Sequence, residues 1–124
     1  MSYSATIFID SENSLEALAN DVSRLLDVNL RATNVHGDKV YEYYYADFHL
    51  RIYADHGMVN HQDMNFEDYP YALSLWRLSG SDHLQSDQNT LEFAWLAFRR
   101  LKGTECYRLM FVENLEKKLA SFNP

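Results

Sequence analysis

The side chains best suited to chemistry crowd one segment of the chain. Asp55-His56 and His61-x-Asp63 bring two imidazoles and two carboxylates within nine residues, and these ligand types suit Zn²⁺ or a related ion. His56, His61 and Asp63 are therefore the metal-ligand candidates. Their spacing argues against them, because H-x₄-H is neither a helical nor a knuckle spacing and a loop containing Gly57 does not preorganise ligands. The simpler expectation is a polar loop that holds two histidines, with no metal and no cofactor. General acid–base work would need His49 paired with His56 or His83, with Arg51 as the neighbouring cation. Cys106, flanked by Glu105 and Tyr107 in a strand-like run, reads as a small buried hydrophobe rather than a thiolate nucleophile. The four glycines form neither G-x-G-x-x-G nor G-x-x-x-x-G-K-[ST]. The chain is not expected to be an enzyme; a small metal- or His-dependent enzyme or ligand-binding domain is the alternative.

Charge and aromatic content are more informative. The 124 residues carry eleven Lys+Arg against eighteen Asp+Glu, a formal charge of −7, together with nine Tyr and seven Phe. A phosphate-binding protein shows a basic footprint, so direct binding of nucleic acid is not expected. The charge is uneven: residues 1–87 hold fourteen acids and five bases, and residues 88–124 hold four acids and six bases. Asp55, Asp63, Glu67 and Asp68 fall beside Tyr53, Phe66 and Tyr69, and follow a Tyr41-Tyr43-Tyr45 alternation. Tyrosine contributes interface area at low entropic cost, and carboxylates steer a basic partner. Phe66 and Met64 have no evident core partner in the sequence, which favours an interface there. The opposing expectation for the tyrosines is a solvated sheet face built of good β-formers. Tyr41, Tyr43, Tyr53, Asp55, Asp63, Phe66, Glu67, Asp68 and Tyr69 are the partner-binding candidates.

The elements that must position these residues follow from periodicity. Ala5-Thr6-Ile7-Phe8-Ile9 predicts a buried strand. Asn13 with Glu16 has capping-box spacing, and Leu15, Leu18, Ala19, Val22, Leu25 and Leu26 then form one helical stripe. Residues 29–35 and 39–55 read as strands joined at His36-Gly37-Asp38. The second is long enough that a bend or break near Ala46-Asp47 is expected. Residues 56–69 have no sustained period and read as a long loop. Tyr71 to Ser79 predicts a strand ended by Gly80-Ser81-Asp82. A second helix spans 87–102, with Asn89 and Glu92 as its capping box and Gly103 as its left-handed C-cap. Cys106 to Val112 predicts a last strand, after which Asn114 caps a short C-terminal helix through Leu115, Leu119 and Phe122. The expected fold is one α+β domain over residues 1–124, with a single mainly antiparallel sheet and its two main amphipathic helices on one face.

One cysteine cannot make an internal disulfide, and Met1-Ser2-Tyr3-Ser4-Ala5 lacks the basic region of a secretory signal. No stretch approaches the roughly 18 apolar residues of a membrane span. A cytoplasmic chain without membrane contact is expected, either a monomer or a weak homodimer; self-association through the Tyr-rich face, as an accessory subunit, is a further alternative.

A small, acidic, Cys-poor α+β chain with an aromatic-acidic face resembles the bacterial immunity proteins, most closely those of contact-dependent growth inhibition systems. The resemblance covers the whole chain in size and element order. It implies a protein that neutralises a toxin by occluding it. The implied partner is the toxin's basic C-terminal nuclease domain, an RNase by family analogy.

Overall fold

Ala5, Ile7 and Ile9 alternate along the first strand with Thr6 and Phe8, and all five are buried. A strand buried on both faces must be central to its sheet and covered on both sides. In the computed structural model, which describes residues 3–78 and 83–124, it is. The elements run β1 (Ser4–Asp10), α1 (Leu15–Leu26), β2 (Arg31–Val35), β3 (Asp38–Tyr44), β4 (Phe48–Ala54), a 3₁₀ turn (Phe66–Asp68), β5 (Tyr71–Arg77), α2 (His83–Gly103), β6 (Arg108–Glu113) and β7 (Lys117–Phe122). The seven strands form one sheet in the order β2-β3-β4-β5-β1-β6-β7, and every described pairing is antiparallel. The α+β class with both helices on one face is as expected.

That helical face is the main core. Leu18, Val22 and Leu26 of α1 and Ala94, Ala97, Phe98 and Leu101 of α2 bury against Ile7, Leu50, Ile52, Leu73, Leu75, Leu109 and Phe111. The three-four spacing in both helices matches the period-two rows of the sheet, and area burial there drives their docking. No described helix is long and apolar enough to cross a membrane.

Four local expectations need correction. The cap of α1 is Ser14 rather than Asn13: the Ser14 hydroxyl accepts from the Ala17 N–H, and Asp27 ends the helix at φ 54°. Helix α2 begins at His83, so Asn89 lies inside it, and its amide donates to Asp47 Oδ2 at 2.7 Å. Gly103 belongs to the helix, and the left-handed residue after it is Glu105, at φ 56°.

The fourth correction is the C-terminal helix, which is instead strand β7, hairpinned to β6. Asn114 and Leu115 take φ of 52° and 57° in the turn, the Asn114 side chain accepts from the Ser4 N–H, and the Glu116 N–H bonds to the Glu113 carbonyl. A run of six residues does not hold a helix by propensity alone, whereas pairing with β6 satisfies its backbone at once. The expected turn at Gly80-Ser81-Asp82, with Ser79 before it, lies outside the described residues.

Candidate acidic and aromatic surface

The face of the sheet opposite the helices has two parts. Residues 55–70 fold back across one of them. Phe8, Ala72, Met110 and Val112 project from β1, β5 and β6 and meet Met64, Phe66 and Tyr69 from the loop, forming a second buried cluster. Phe66 is 1% exposed and packs edge-on to Phe8 at 4.8 Å between ring centroids. Phe66 and Tyr69 are therefore core residues, and neither offers contact area to a partner. The spacing 64, 66, 69 follows no helical or strand period, so the sequence did not disclose their common burial.

Polar anchors fix the loop. His56 donates from Nε2 to the Tyr69 carbonyl at 2.7 Å and accepts at Nδ1 from the Met58 N–H at 3.0 Å. Asn60 and Glu67 clasp each other reciprocally: the Glu67 carboxylate accepts from the Asn60 backbone N–H at 3.0 Å, and the Asn60 side-chain Oδ1 from the Glu67 backbone N–H at 2.9 Å. Arg108 donates to the Asp68 carbonyl, pairs with Asp10 at 3.0 Å and lies 5.0 Å over the Tyr69 ring. Lys118 donates to the Asp63 carbonyl at 3.0 Å.

These anchors leave the loop's carboxylates facing outward. Asp55, Asp63, Glu67 and Asp68 are all exposed. Asp63 has Lys118 at 3.6 Å, while the Asp68 carboxylate accepts from the Asn65 amide at 2.7 Å. Among the described residues Asp55, Glu67 and Asp68 pair with no cation. Their negative charge is consequently uncompensated on a segment that cannot move without opening a core.

The uncovered part of the same face carries Glu42, Tyr44, His49, Arg51, Tyr53 and Trp76. One Glu42 oxygen accepts from His49 Nε2 at 2.8 Å and from Arg51 Nε and Nη2 at 3.3 and 3.1 Å. Tyr44, 59% exposed, stacks on His49 at 4.0 Å, and Arg51 lies 5.3 Å over the Trp76 ring. Burial pushes the His49 imidazole below its ordinary value, outweighing the Glu42 hydrogen bond that raises it. Beside this network is a concavity of about 220 Å³ lined by Val35, Val40, Arg51, Tyr53, Asp55 and Trp76, with exposed Asp38 at its margin. Tyr53 joins the two parts, lining the concavity and packing against the buried loop cluster. Aromatic walls with carboxylates at the mouth can accept an ammonium or guanidinium group.

Tyr41 and Tyr43 are elsewhere. The break at Ala46-Asp47 is a hairpin turn closed by the Tyr45 N–H to the Phe48 carbonyl, and it pairs Tyr41 with Ile52 and Tyr43 with Leu50. An antiparallel partner of odd register sum exchanges odd for even positions, so both tyrosines face the helices and not the His49-Arg51-Tyr53 row. Tyr41 is buried, and Tyr43 packs edge-on to Tyr45 at 4.8 Å. Of these tyrosines Tyr41 is thus core while Tyr43 and Tyr45 are half-buried, and the Tyr45 hydroxyl is buried with no hydrogen-bond partner among the described residues, pushed up to about 12 by burial first and Tyr43 second.

The chemical candidates are dispersed. Both ring nitrogens of His56 are engaged, leaving no lone pair for a metal, and no group of three potential ligands occurs among the described residues. His49 and His56 serve separate networks, and His83 sits exposed in the first turn of α2. Cys106 is exposed ahead of β6 rather than buried within it, its Sγ 3.3 Å from the Thr104 carbonyl. Trp76, Tyr44 and Asp38 are the surface residues that sequence reasoning missed. For Tyr44 the signal was the parity of the β3–β4 hairpin, which becomes readable only once the turn is placed. Comparison with protein-family models, curated proteins and solved structures gave no match to this chain.

Proposed function

We propose that the chain is a binding protein that neutralises a basic protein partner. Within that class, the partner is a bacterial toxin's nuclease domain, an RNase first, and the chain acts as its immunity protein. The observation that carries the reading is the set of uncompensated carboxylates, Asp55, Glu67 and Asp68, held on a loop clamped to the sheet, with Asp55 itself at an aromatic-walled concavity. A nuclease surface built for phosphates presents lysines and arginines. Carboxylates fixed before encounter meet that surface without the entropic cost of ordering a flexible loop. Tyr53 and Trp76 supply the desolvated centre, Asp38 and Asp55 at the concavity meet a cation there, and Glu67 and Asp68 further along the loop add steering. Occlusion of the substrate groove is sufficient for inhibition, and no chemical step by this chain is required.

The test is association with the protein encoded by the adjacent reading frame, followed by stopped flow at several ionic strengths. The association rate should fall steeply with added salt, and replacing Asp55 and Asp68 by Asn together with Glu67 by Gln, which keeps the acceptor oxygens of the loop's hydrogen bonds, should lower it while leaving the melting temperature unchanged. An association rate indifferent to salt, or to the triple replacement, rejects this surface as the steering element.

A further inference from the structure

Among the described residues the sheet has two free edges, β2 and β7, and they are unlike each other. Strand β7 carries Lys117 and Lys118, and the β6–β7 ladder slips at Phe111/Val112, two devices that keep an edge from pairing with another chain. Strand β2 has neither. Its sequence is Arg31-Ala32-Thr33-Asn34-Val35, with no Pro, Lys or acid, and its register with β3 is unbroken over all five residues.

The turn that joins β2 to β3 determines which groups this edge offers. His36 and Gly37, at φ 52° and 86°, form a two-residue turn closed by the Val35–Asp38 pair. In such a hairpin the closing pair is hydrogen-bonded, so Val35, Thr33 and Arg31 bond inward to β3. The N–H and C=O groups of Ala32 and Asn34 therefore point outward from the sheet.

We infer that this edge pairs with β2 of a second copy of the chain, antiparallel across a two-fold axis through Thr33. That register aligns all five residues and sets Ala32 of each copy against Asn34 of the other, so that each outward-facing group meets its complement. Thr33 faces Thr33 as a non-hydrogen-bonded pair, a favourable cross-strand match. Arg31 meets Val35 rather than another Arg31, and stands in a row between Glu42 of its own chain and Asp38 beyond that valine. The β2–β3 hairpin carries Arg31 and Lys39 against Asp38 and Glu42, a balanced charge that a second copy tolerates. Residues 55–70 hold four acids and no Lys or Arg, so that surface repels a copy. A concavity of about 390 Å³ lined by Arg31, Thr33, Glu42 and Tyr44 opens at this edge and gives room for side chains of the paired strand. The pairing is independent of the proposed neutralising activity, because the loop carboxylates take no part in it.

Sedimentation of the full chain from about 1 to about 300 µM should show a reversible shift from 14.6 kDa toward twice that mass. Asn34→Pro, which removes only an outward N–H, should hold the chain at monomer mass, and so should Thr33→Arg, which sets like charges opposite each other. In a Cys106→Ser background, Thr33→Cys should oxidise to a covalent dimer and Arg31→Cys should not. A wild-type chain that stays monomeric throughout overturns the inference, as does a dimer unaffected by folded Thr33→Arg. Cross-linking at position 31 in preference to 33 rejects the register. Self-association should persist in the Asp55, Glu67 and Asp68 triple variant, which separates this result from that of the partner experiment.

Discussion

The His49 imidazole, 3% exposed, donates from Nε2 to a Glu42 carboxylate oxygen 2.8 Å away across the β3–β4 hairpin. The pair ties two strands together at the centre of the uncovered sheet face, and Arg51 completes the charge balance on Glu42.

This pair predicts a pH dependence. His49 has a folded pKa below its ordinary 6.5, chiefly through burial, so below 6.5 the unfolded chain takes up a proton that the folded chain resists. The stability it contributes is complete above pH 6.5 and is lost as pH falls through the depressed folded value. Thermal melts should therefore show a falling Tm between pH 7 and pH 5, before carboxylates titrate. In His49→Gln that fall should shrink; an identical pH profile in the variant would remove His49 as its source.

Phe66 should behave as a core residue. Phe66→Ala opens a cavity against Phe8 and Met64 and should cost about 3–5 kcal/mol in urea unfolding. A loss below about 1 kcal/mol is what an exposed loop aromatic would give and would contradict the packing.

The Asn60–Glu67 clasp should govern loop opening. In Asn60→Ala the Glu67 N–H loses its acceptor, and its hydrogen exchange should accelerate roughly tenfold, equivalent to about 1.4 kcal/mol. Amides of β1 should exchange at the wild-type rate.

A fourth expectation concerns Tyr107 and Asp21. The buried Tyr107 hydroxyl donates to the Asp21 carboxylate, and this bond is the main reason that Asp21 lies below its ordinary 3.8, with Arg24 contributing after it. A depressed carboxylate stabilises the fold above that ordinary value and ceases to do so as pH falls through the folded one. Tyr107→Phe should cost about 1.5–3 kcal/mol at pH 7, as for hydrogen bonds to charged groups. The difference from wild type should narrow below pH 3.8. A constant gap across that range would assign the loss to packing.

The residues themselves decided the local elements. Leu18, Val22 and Leu26 repeat at a helical interval, and Leu73 and Leu75 at a strand interval, so the α+β class and the helical face could be read directly from period. The uneven charge, with its four acids between residues 55 and 68, was equally visible. What period cannot convey is how separate segments meet. Tyr41 and Tyr43 change faces because a hairpin at Ala46-Asp47 inverts the parity of a run that reads as one alternation. Lys117 to Phe122 becomes a strand because β6 offers it an edge. Phe66 and Tyr69 become core because a loop without period closes over Phe8 and Met110. Only the tertiary structure could therefore separate the carboxylates that remain at the surface from the aromatics beside them that are buried. Period records how neighbours along the chain share a face, whereas burial depends on which distant backbone lies across it.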